Sequence, residues 1–560
     1  MTRPGPAARP PSPPRLVTLS IVGTNDLHGA LDRLPLFGGY LANLRAARMA
    51  DGGAVVLVDA GDMFQGTLES NLGEGADVVR AYNQLGYAAT TLGNHEFDYG
   101  PAGPAATAQH PGDDPRGALE ARATEAMFPF LVSNIDDAAK HARINYRNMP
   151  ASTLVTAAGF KVGIIGAATA STPYTTMPAN FVGLTVAPVI ARIQAAAADL
   201  RAHGADLIVV TGHLGGKCTD LTHPDDASSC LPDEEIMPVL AALPPNTVDV
   251  FVAGHTHAGM AHAINGVAVI ESFSQGRAFG RVDVQFTAGV RTATIIHPPQ
   301  LICPLDARNN PIPVADCHPE PYEGSAVVAD RAVQVIADAA LAKAGERRGE
   351  KIGVTLAGAI TRAHAEESDE GNWFCDLMLA VRPDADVALT NGGALRTDIP
   401  AGELTYGRFF EAMPFDNRFA LVDVQGKDLR DLVTTNLQRD GSILSWSGLA
   451  ATAKCGGAGL EVKITVRGKP LVDAKHYRLV TSDFLASGGD GLIGRLHLPA
   501  GSITYGDVII RESVADLLRA RKGTVDPTTL MKPRRLQYAG VRPLTCGGPG
   551  ARKRGPAEPE

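Results

Sequence analysis

Between residue 15 and about residue 281 the chain repeats one theme: a β-branched apolar run, a short polar loop, then a helix-compatible segment. The runs cover residues 16–22, 55–58, 88–92, 162–165, 207–210 and 248–253. They are continuous and do not alternate apolar with polar. Such runs suit strands covered on both faces, and their alternation with helical segments predicts a layered α/β domain. Three further segments within residues 266–297, VAVIES, GRVDVQFT and TATII, read as closing strands.

The pattern then changes. Residues 298–325 are a connector rich in Pro and Cys, and residues 326–345 keep apolar side chains at helical spacing, predicting a linking helix that stops at Gly345. A second αβ unit starts near Lys351, with helices at 372–381 and 427–437 and strands at 387–390, 462–466 and 477–481. The expected layout is a disordered Pro-rich segment at 1–14, a first domain at 15–300, a connector and linking helix at 301–350, a second domain at 351–540 and a disordered tail at 541–560.

Composition narrows the function. A chain of 560 residues with 45% hydrophobic and 20% charged residues is globular and long enough for more than one domain. Net charge −9 leaves no basic footprint for a nucleic-acid polymer. No transmembrane span is expected, because the longest uncharged stretch, 162–191, is interrupted by Pro173, Pro178, Asn180 and Pro188. The apolar run 16–22 is too short for a signal-peptide core, so no export signal is visible. The seven cysteines point the other way. Cys218 and Cys230 flank one polar insertion, Cys303 and Cys317 another, and Cys455 can pair with Cys546, leaving Cys375 as a buried thiol. Loops of this size closed by disulfides gain about 3 kcal/mol, and such staples belong to oxidising compartments. The expectation is a periplasmic or extracellular protein; unpaired cysteines in a cytoplasmic protein are the alternative.

Metal-ligand residue types stand at the end of strand after strand: Asp26 and His28, Asp62 after Gly61, Asn94 and His95 after Gly93, His213 after Gly212, and His255 and His257 after Gly254. Loops at the carboxyl ends of parallel strands share one rim, so these residues converge. Imidazole and carboxylate without thiolate suit Zn²⁺, Mn²⁺, Fe or Co²⁺, and the seven donors besides His95 exceed one tetrahedral centre, which predicts two divalent ions sharing a carboxylate.

The ordered motifs DLHG (26–29), GD (61–62), GNHEFD (93–98), GH (212–213), GHTH (254–257), NGGALR (391–396) and FLASGGDG (484–491) resemble those of the two-domain 5′-nucleotidase family of calcineurin-like metallophosphoesterases, over roughly residues 16–540. The resemblance implies an α/β fold with a four-layer α/β/β/α metallophosphoesterase domain and a C-terminal αβ nucleotide-recognition domain joined by a linking helix. It implies one metal on Asp26, His28 and His257, another on Asn94, His213 and His255, and Asp62 bridging, with Zn, Mn or Co as the ions. It makes His95 the catalytic histidine and Asp98 its carboxylate partner. It assigns Phe415 and Phe484 to base stacking, Asp490 to the ribose, and Asn391 and Arg396 to the base and the phosphate or ribose. Glu96 receives no role.

One segment departs from the family. An acidic run, Glu366, Glu367, Ser368, Asp369 and Glu370, stands where some members place arginine. The run is expected to be solvated; facing the substrate, it would leave phosphate gripping to Arg362, Arg396 or Arg408. The implied activity is hydrolysis of nucleoside 5′-monophosphates. UDP-sugars or 2′,3′-cyclic nucleotides are alternative substrates, a catalytically quiet nucleotide-binding protein is a third reading, and no protein partner is predicted.

Overall fold

The apolar runs of the first half form two six-stranded sheets in place of one. The computed structural model describes residues 16–305, 312–456 and 459–546; the Pro-rich segment 1–14 lies outside the described residues. In the first sheet the parallel strands Leu16–Thr24, Ala54–Asp59, Ala89–Thr91 and Phe130–Leu131 are flanked by the antiparallel pair Ala278–Thr287 and Val290–Leu301. In the second, Phe160–Ala168, Leu207–His213, Val250–Ala253 and Val267–Ser272 run parallel, with Ser152–Ala157 and Gly259–Ile264 antiparallel at the edges.

The two sheets pack face to face through Leu19, Ile21, Val56 and Val58 on one side and Ile164, Val209, Val252 and Ile270 on the other. The outer face of the first sheet is covered by helices Leu34–Asp51 and Ala76–Leu85, and that of the second by Val189–Ala202 and Ile236–Ala242. Each strand is therefore covered on both faces, as its continuous apolar run requires, and one of the covers is the other sheet. Parallel register aligns the carboxyl ends: Thr24 pairs with Asp59, and Gly212 with both Ala167 and Ala253. The loops that follow leave at one rim.

The linking helix runs Arg331–Gly349, past the expected stop at Gly345. Asp330 caps it by accepting from the amides of Ala332 and Val333. Gly345 sits in open space, so nothing there forces the chain to turn. Beyond it, Arg347 reaches Glu512, and Arg348 reaches Glu69 and Glu411, which holds the last turn in place. Val333, Ala337 and Ala340 are buried in the core of the first domain and Ala344 in that of the second. The helix thus belongs to both cores.

The second half is built on a five-stranded mixed sheet in the order Leu444–Ser447, Val387–Asn391, His476–Ser482, Arg418–Gln425, Ile503–Ile509. Helices Asp369–Val381 and Ile510–Arg521 bury Phe374 and Val514 in one core; helix Gly426–Gln438 buries Leu429 and Val433 against Trp446 in another. No helix among the described residues is long and apolar enough to cross a membrane.

Two expectations need correction. The tail does not become free at residue 541: Leu544 is buried beside Leu437 and its amide donates to the Leu437 carbonyl, Arg542 donates to the Asn436 carbonyl, and Cys546 is bonded to Cys455. Residues 547–560 lie outside the described residues. The acidic run is not a solvated patch. Only Glu366 is exposed; Ser368 caps helix Asp369–Val381 by accepting from the Gly371 amide, and buried Glu367 accepts from Asn372 Nδ2 and from the amides of Arg535 and Leu536. Carboxylates in a first helical turn also complement the helix dipole.

Disulfides join Cys218 to Cys230, Cys303 to Cys317 and Cys455 to Cys546, while Cys375 is buried and free. Thiol titration of denatured, unreduced protein is expected to count one thiol, and seven after reduction. The Cys455–Cys546 bond spans 91 residues. Its removal in Cys455→Ser is expected to lower unfolding free energy by about 2–5 kcal/mol in denaturant melts.

Candidate active site

The loops that carry the predicted ligands are zipped together by backbone bonds beyond the ends of the strands. The Asp26 amide donates to the Gly61 carbonyl, that of His28 to Asp62, and that of Gly29 to Met63. Five of the predicted ligands, Asp26, His28, Asp62, His255 and His257, have φ between +49° and +81°. Asp and His visit this left-handed region more readily than most residues, but five at one rim is a concentration of backbone strain of the kind found at functional sites. Gly93 approaches so closely that a Cβ there would lie 2.1 Å from Asp62 Oδ1.

Three buried side chains hold this geometry without being donors to the cluster. Glu96 accepts from the amides of Asp62 (2.8 Å), Met63 (2.7 Å) and Gly93 (2.7 Å), tying two ligand loops together. Asn25 donates to Asp26 Oδ2 at 2.8 Å and accepts from the Ser272 amide. Glu271 accepts from the Gly216 amide and from Thr256 Oγ1, fixing the loop between His255 and His257.

What converges inside is a set of lone pairs. Donor atoms of Asp26, His28 and His257 lie within 4.8 Å of one another, as do those of Asp62, His213 and His255. His28 Nδ1 donates to the Gln65 carbonyl and His213 Nδ1 to the Ala60 carbonyl, each at 2.7 Å; burial holds the His28 ring well below its ordinary value, so its Nε2 is unprotonated, whereas Asp62, against the opposing effect of burial, raises the His213 ring to about 10. His28 Nε2 then faces His257 Nε2 at 3.0 Å, and His213 Nε2 faces Asn94 Oδ1 at 3.0 Å and Asp62 Oδ2 at 3.1 Å. Asn94 is turned this way because its Nδ2 donates to the Thr175 carbonyl. Asp26 Oδ1, fully buried, has no hydrogen-bond partner. Burial, followed by the positive charge of His213, pushes the His255 ring down to about 3, so His255 is neutral. His28 Nε2 facing His257 Nε2 beside an unpartnered Asp26 Oδ1 fits a cation, and the N/O donor set fits a divalent transition metal.

His95 stands beside the cluster. Its Nδ1 is 2.5 Å from Asp98 Oδ2, and Asp98 Oδ1 accepts from Thr176 Oγ1 (3.0 Å) and the Met177 amide (3.2 Å). The dyad leaves His95 Nε2 for the cleft. That cleft, about 3740 Å³, is shared with the second domain and is lined by every predicted site residue except Asp26 and His213, which lie buried behind it.

The second domain closes over the predicted ligands. Arg396 Nη2 is 3.2 Å from His28 Nε2, its guanidinium is 5.8 Å from the centre of the Phe415 ring, and Phe415 is 5.6 Å from the His95 ring. Gln65 and Asn71 donate to the Pro414 carbonyl from the first domain. Phe484 lines the same cleft and is not in ring contact with Phe415; it packs over Gly489, where a Cβ would lie 2.5 Å from the ring. Asn391 Nδ2 donates to Asp490 Oδ2 at 3.0 Å, and burial pushes the Asp490 carboxyl up to about 6. Arg408 is exposed and does not line the cleft. Within the acidic run only Glu366 reaches it.

Sequence reasoning gave no part to Glu96, Asn25, Glu271 or Thr176. Glu96 carried a signal, since a carboxylate inside GNHEFD stands next to His95 and two residues from Asn94 and Asp98. Thr176 carried none, because a Ser/Thr-rich stretch reads simply as loop.

Comparison with known proteins agrees with this geometry. Residues 19–259 match the calcineurin-like phosphoesterase model, and residues 350–495 match the model of the 5′-nucleotidase C-terminal domain. The silent protein UshA(0) of Salmonella typhimurium is 25% identical over 505 residues, covering 84% of this chain and 86% of its own. A 5′-nucleotidase of Vibrio cholerae is 24% identical over 507 residues, with 84% and 85% covered. The crystal structure of a 5′-nucleotidase precursor from Thermus thermophilus superposes with a TM-score of 0.71 at 24% identity over 93% of this chain and 99% of its own, which establishes a common fold. The chain belongs to the two-domain 5′-nucleotidase family of calcineurin-like metallophosphoesterases and is a metal-dependent phosphoric monoester hydrolase.

Proposed function

We propose that the chain hydrolyses nucleoside 5′-monophosphates to nucleoside and phosphate, using two divalent ions. The observation that carries this reading is the pair of donor triads, Asp26/His28/His257 and Asp62/His213/His255, roofed by Arg396 and Phe415 from the second domain. One ion would be held by Asp26, His28 and His257, the other by Asn94, His213 and His255, with Asp62 shared; Zn, Mn and Co all suit this donor set. The ions supply the positive charge that a phosphate dianion needs and acidify water for in-line attack.

The chain's own residues do the rest. Asp98 holds His95 with Nδ1 protonated, so Nε2 is presented to the phosphoryl oxygens or the leaving 5′-oxygen. Arg396 adds a fixed cation next to the metal ligands, where low exposure strengthens its hold on phosphate. Phe415 and Phe484 offer two faces for a base, and stacking of this kind contributes on the order of 1–3 kcal/mol per base. Asp490, oriented by Asn391, accepts from ribose hydroxyls. Three disulfides favour an oxidising, extracytoplasmic setting.

A substrate panel of AMP, UMP, a UDP-sugar, 2′,3′-cyclic AMP and an aryl phosphate tests the assignment: AMP and UMP turnover is expected to exceed the others, and a preference for the cyclic or sugar substrate would overturn it. Extensive chelation is expected to abolish turnover, with recovery on adding Mn²⁺, Co²⁺ or Zn²⁺ followed by metal analysis. His95→Gln is expected to lower kcat by about 10²–10⁴-fold with metal content unchanged. Asp62→Asn is expected to lower both metal content and turnover, with the thermal midpoint measured on each variant to separate chemistry from folding.

A further inference from the structure

A carboxylate outside both donor triads is linked to one of them. Glu235 stands at the end of the segment that follows the predicted ligand His213, and its half-buried side chain lines the cleft. The segment is closed on itself. The Leu231 amide donates to the Lys217 carbonyl at 2.9 Å, Cys218 is bonded to Cys230, and the Ile236 amide donates to the Gly215 carbonyl at 3.2 Å. These bonds fix the base of the loop, and from that base Glu235 reaches residues 169 and 170, directly after strand Phe160–Ala168.

Each hydrogen in the chain that results has one direction. Glu235 Oε1 accepts from the Ala170 amide at 2.9 Å, and Oε2 accepts from Thr169 Oγ1 at 2.6 Å. A hydroxyl carries one hydrogen and a carboxylate only accepts, so the Thr169 proton is committed to Glu235. At the next contact, 3.0 Å long, Thr169 Oγ1 must therefore accept and Ser171 Oγ donate. That commits the Ser171 hydrogen in turn. Ser171 Oγ lies 3.2 Å from His255 Nε2 and can only accept there, so Nε2 carries the proton. A neutral imidazole has a single N–H, and Nδ1 keeps its lone pair.

This support differs from that of the other ligands. His28 and His213 are oriented by the backbone carbonyls of Gln65 and Ala60, whereas His255 is oriented by side chains that end in a carboxylate. Thr169 is fully buried, and its Oγ1 also accepts from the Ser171 amide at 3.1 Å, which holds the serine in line. Partners of this kind fix the tautomer of a metal-ligating histidine and raise its basicity.

We propose that Glu235 is a positioning residue for the ion assigned to Asn94, His213 and His255, acting through Thr169 and Ser171 to hold His255 with Nε2 protonated and Nδ1 open to that ion. Its reach is selective. Among the described residues neither Glu235, Thr169 nor Ser171 hydrogen-bonds to Asp26, His28 or His257, whose supports are Asn25 and the Gln65 carbonyl. The stapled loop 218–230 thereby gains a part in the metal site, since it fixes the base from which Glu235 projects. The inference rests on the two-ion reading above.

Equilibrium dialysis of the chelator-stripped full chain against buffered free Co²⁺, with bound metal counted per chain, tests it. The wild type is expected to reach two ions. In Thr169→Val, which keeps the shape and removes the hydroxyl, and in Glu235→Ala, one equivalent is expected to need about 10–100-fold more free Co²⁺ while the other stays within about twofold. Thr169→Ser restores the hydroxyl and is expected to restore the weakened equivalent. Ser171→Ala breaks the chain at a more exposed link and is expected to repeat the selective loss, which keeps the test decisive where Thr169→Val does not fold. Both equivalents unchanged, both weakened alike, or no recovery in Thr169→Ser would overturn the role of Glu235. A wild type that binds a single ion, still weakened by Ser171→Ala and Glu235→Ala, removes the two-ion reading alone. Two ions bound equally by wild type and variants remove the relay alone, and a wild type that binds no Co²⁺ removes both.

Discussion

The crowding of nitrogen and oxygen donors around Asp62 governs the rest of the structure. Its carboxylate faces His213 Nε2 at 3.1 Å and His28 Nε2 at 4.0 Å, its Oδ1 accepts from the His95 amide, and its own amide is held by Glu96. Burial resists ionisation of this carboxyl, but the nearby His213, His95 and His28 outweigh it and hold Asp62 well below the usual carboxylate range. Each left-handed non-glycine residue costs on the order of 1–3 kcal/mol. Five at one rim weigh heavily against a folding free energy that is itself about 5–15 kcal/mol for a domain. The strain persists because the loops are over-determined by Glu96, Asn25 and Glu271, and because cations repay it once bound.

That constraint explains the architecture around it. Two parallel-centred sheets, packed through one apolar layer, bring five loops to a single edge, and the cluster draws Asp26 and Asp62 from one sheet and His213, His255 and His257 from loops of the other. A single sheet covered by helices would present its loops in one line. Two stacked sheets present them as facing rows, so an ion pair can sit between rows with ligands from both. The linking helix then fixes the second domain relative to this edge, because one face of it is core to both halves.

Much of this was legible in the chain. The runs at 16–22, 55–58 and 207–210 became strands because they are apolar without alternation, and the ligands were visible because each follows such a run directly. The second sheet was not legible from the runs themselves, since a strand covered by a sheet and one covered by a helix carry the same residues. Strands Arg418–Gln425 and Ile503–Ile509 were missed for a different reason: both mix charged and polar residues into short segments whose partners are distant in sequence. The acidic run misled because charge density reads as exposure, whereas Glu367 is buried by satisfying three donors that lie up to 169 residues away. The pairing of Cys546 with Cys455 was legible, but Leu544 was hidden among Gly and Pro, and the apolar bed around Leu437 gives it a place.

The position of Thr176 shows how the two halves can act on the same chemistry. Its hydroxyl and the Met177 amide fix Asp98, while the preceding Thr175 carbonyl fixes Asn94, so one short segment orients a metal donor and the histidine's partner together. Helix Thr172–Thr175 within that segment packs against the turn Gly489–Gly491, which carries Asp490 of the second domain. The segment that orients the His95–Asp98 dyad is thus also the one against which the turn carrying Asp490 packs, so dyad geometry and the placement of the second domain rest on one short loop.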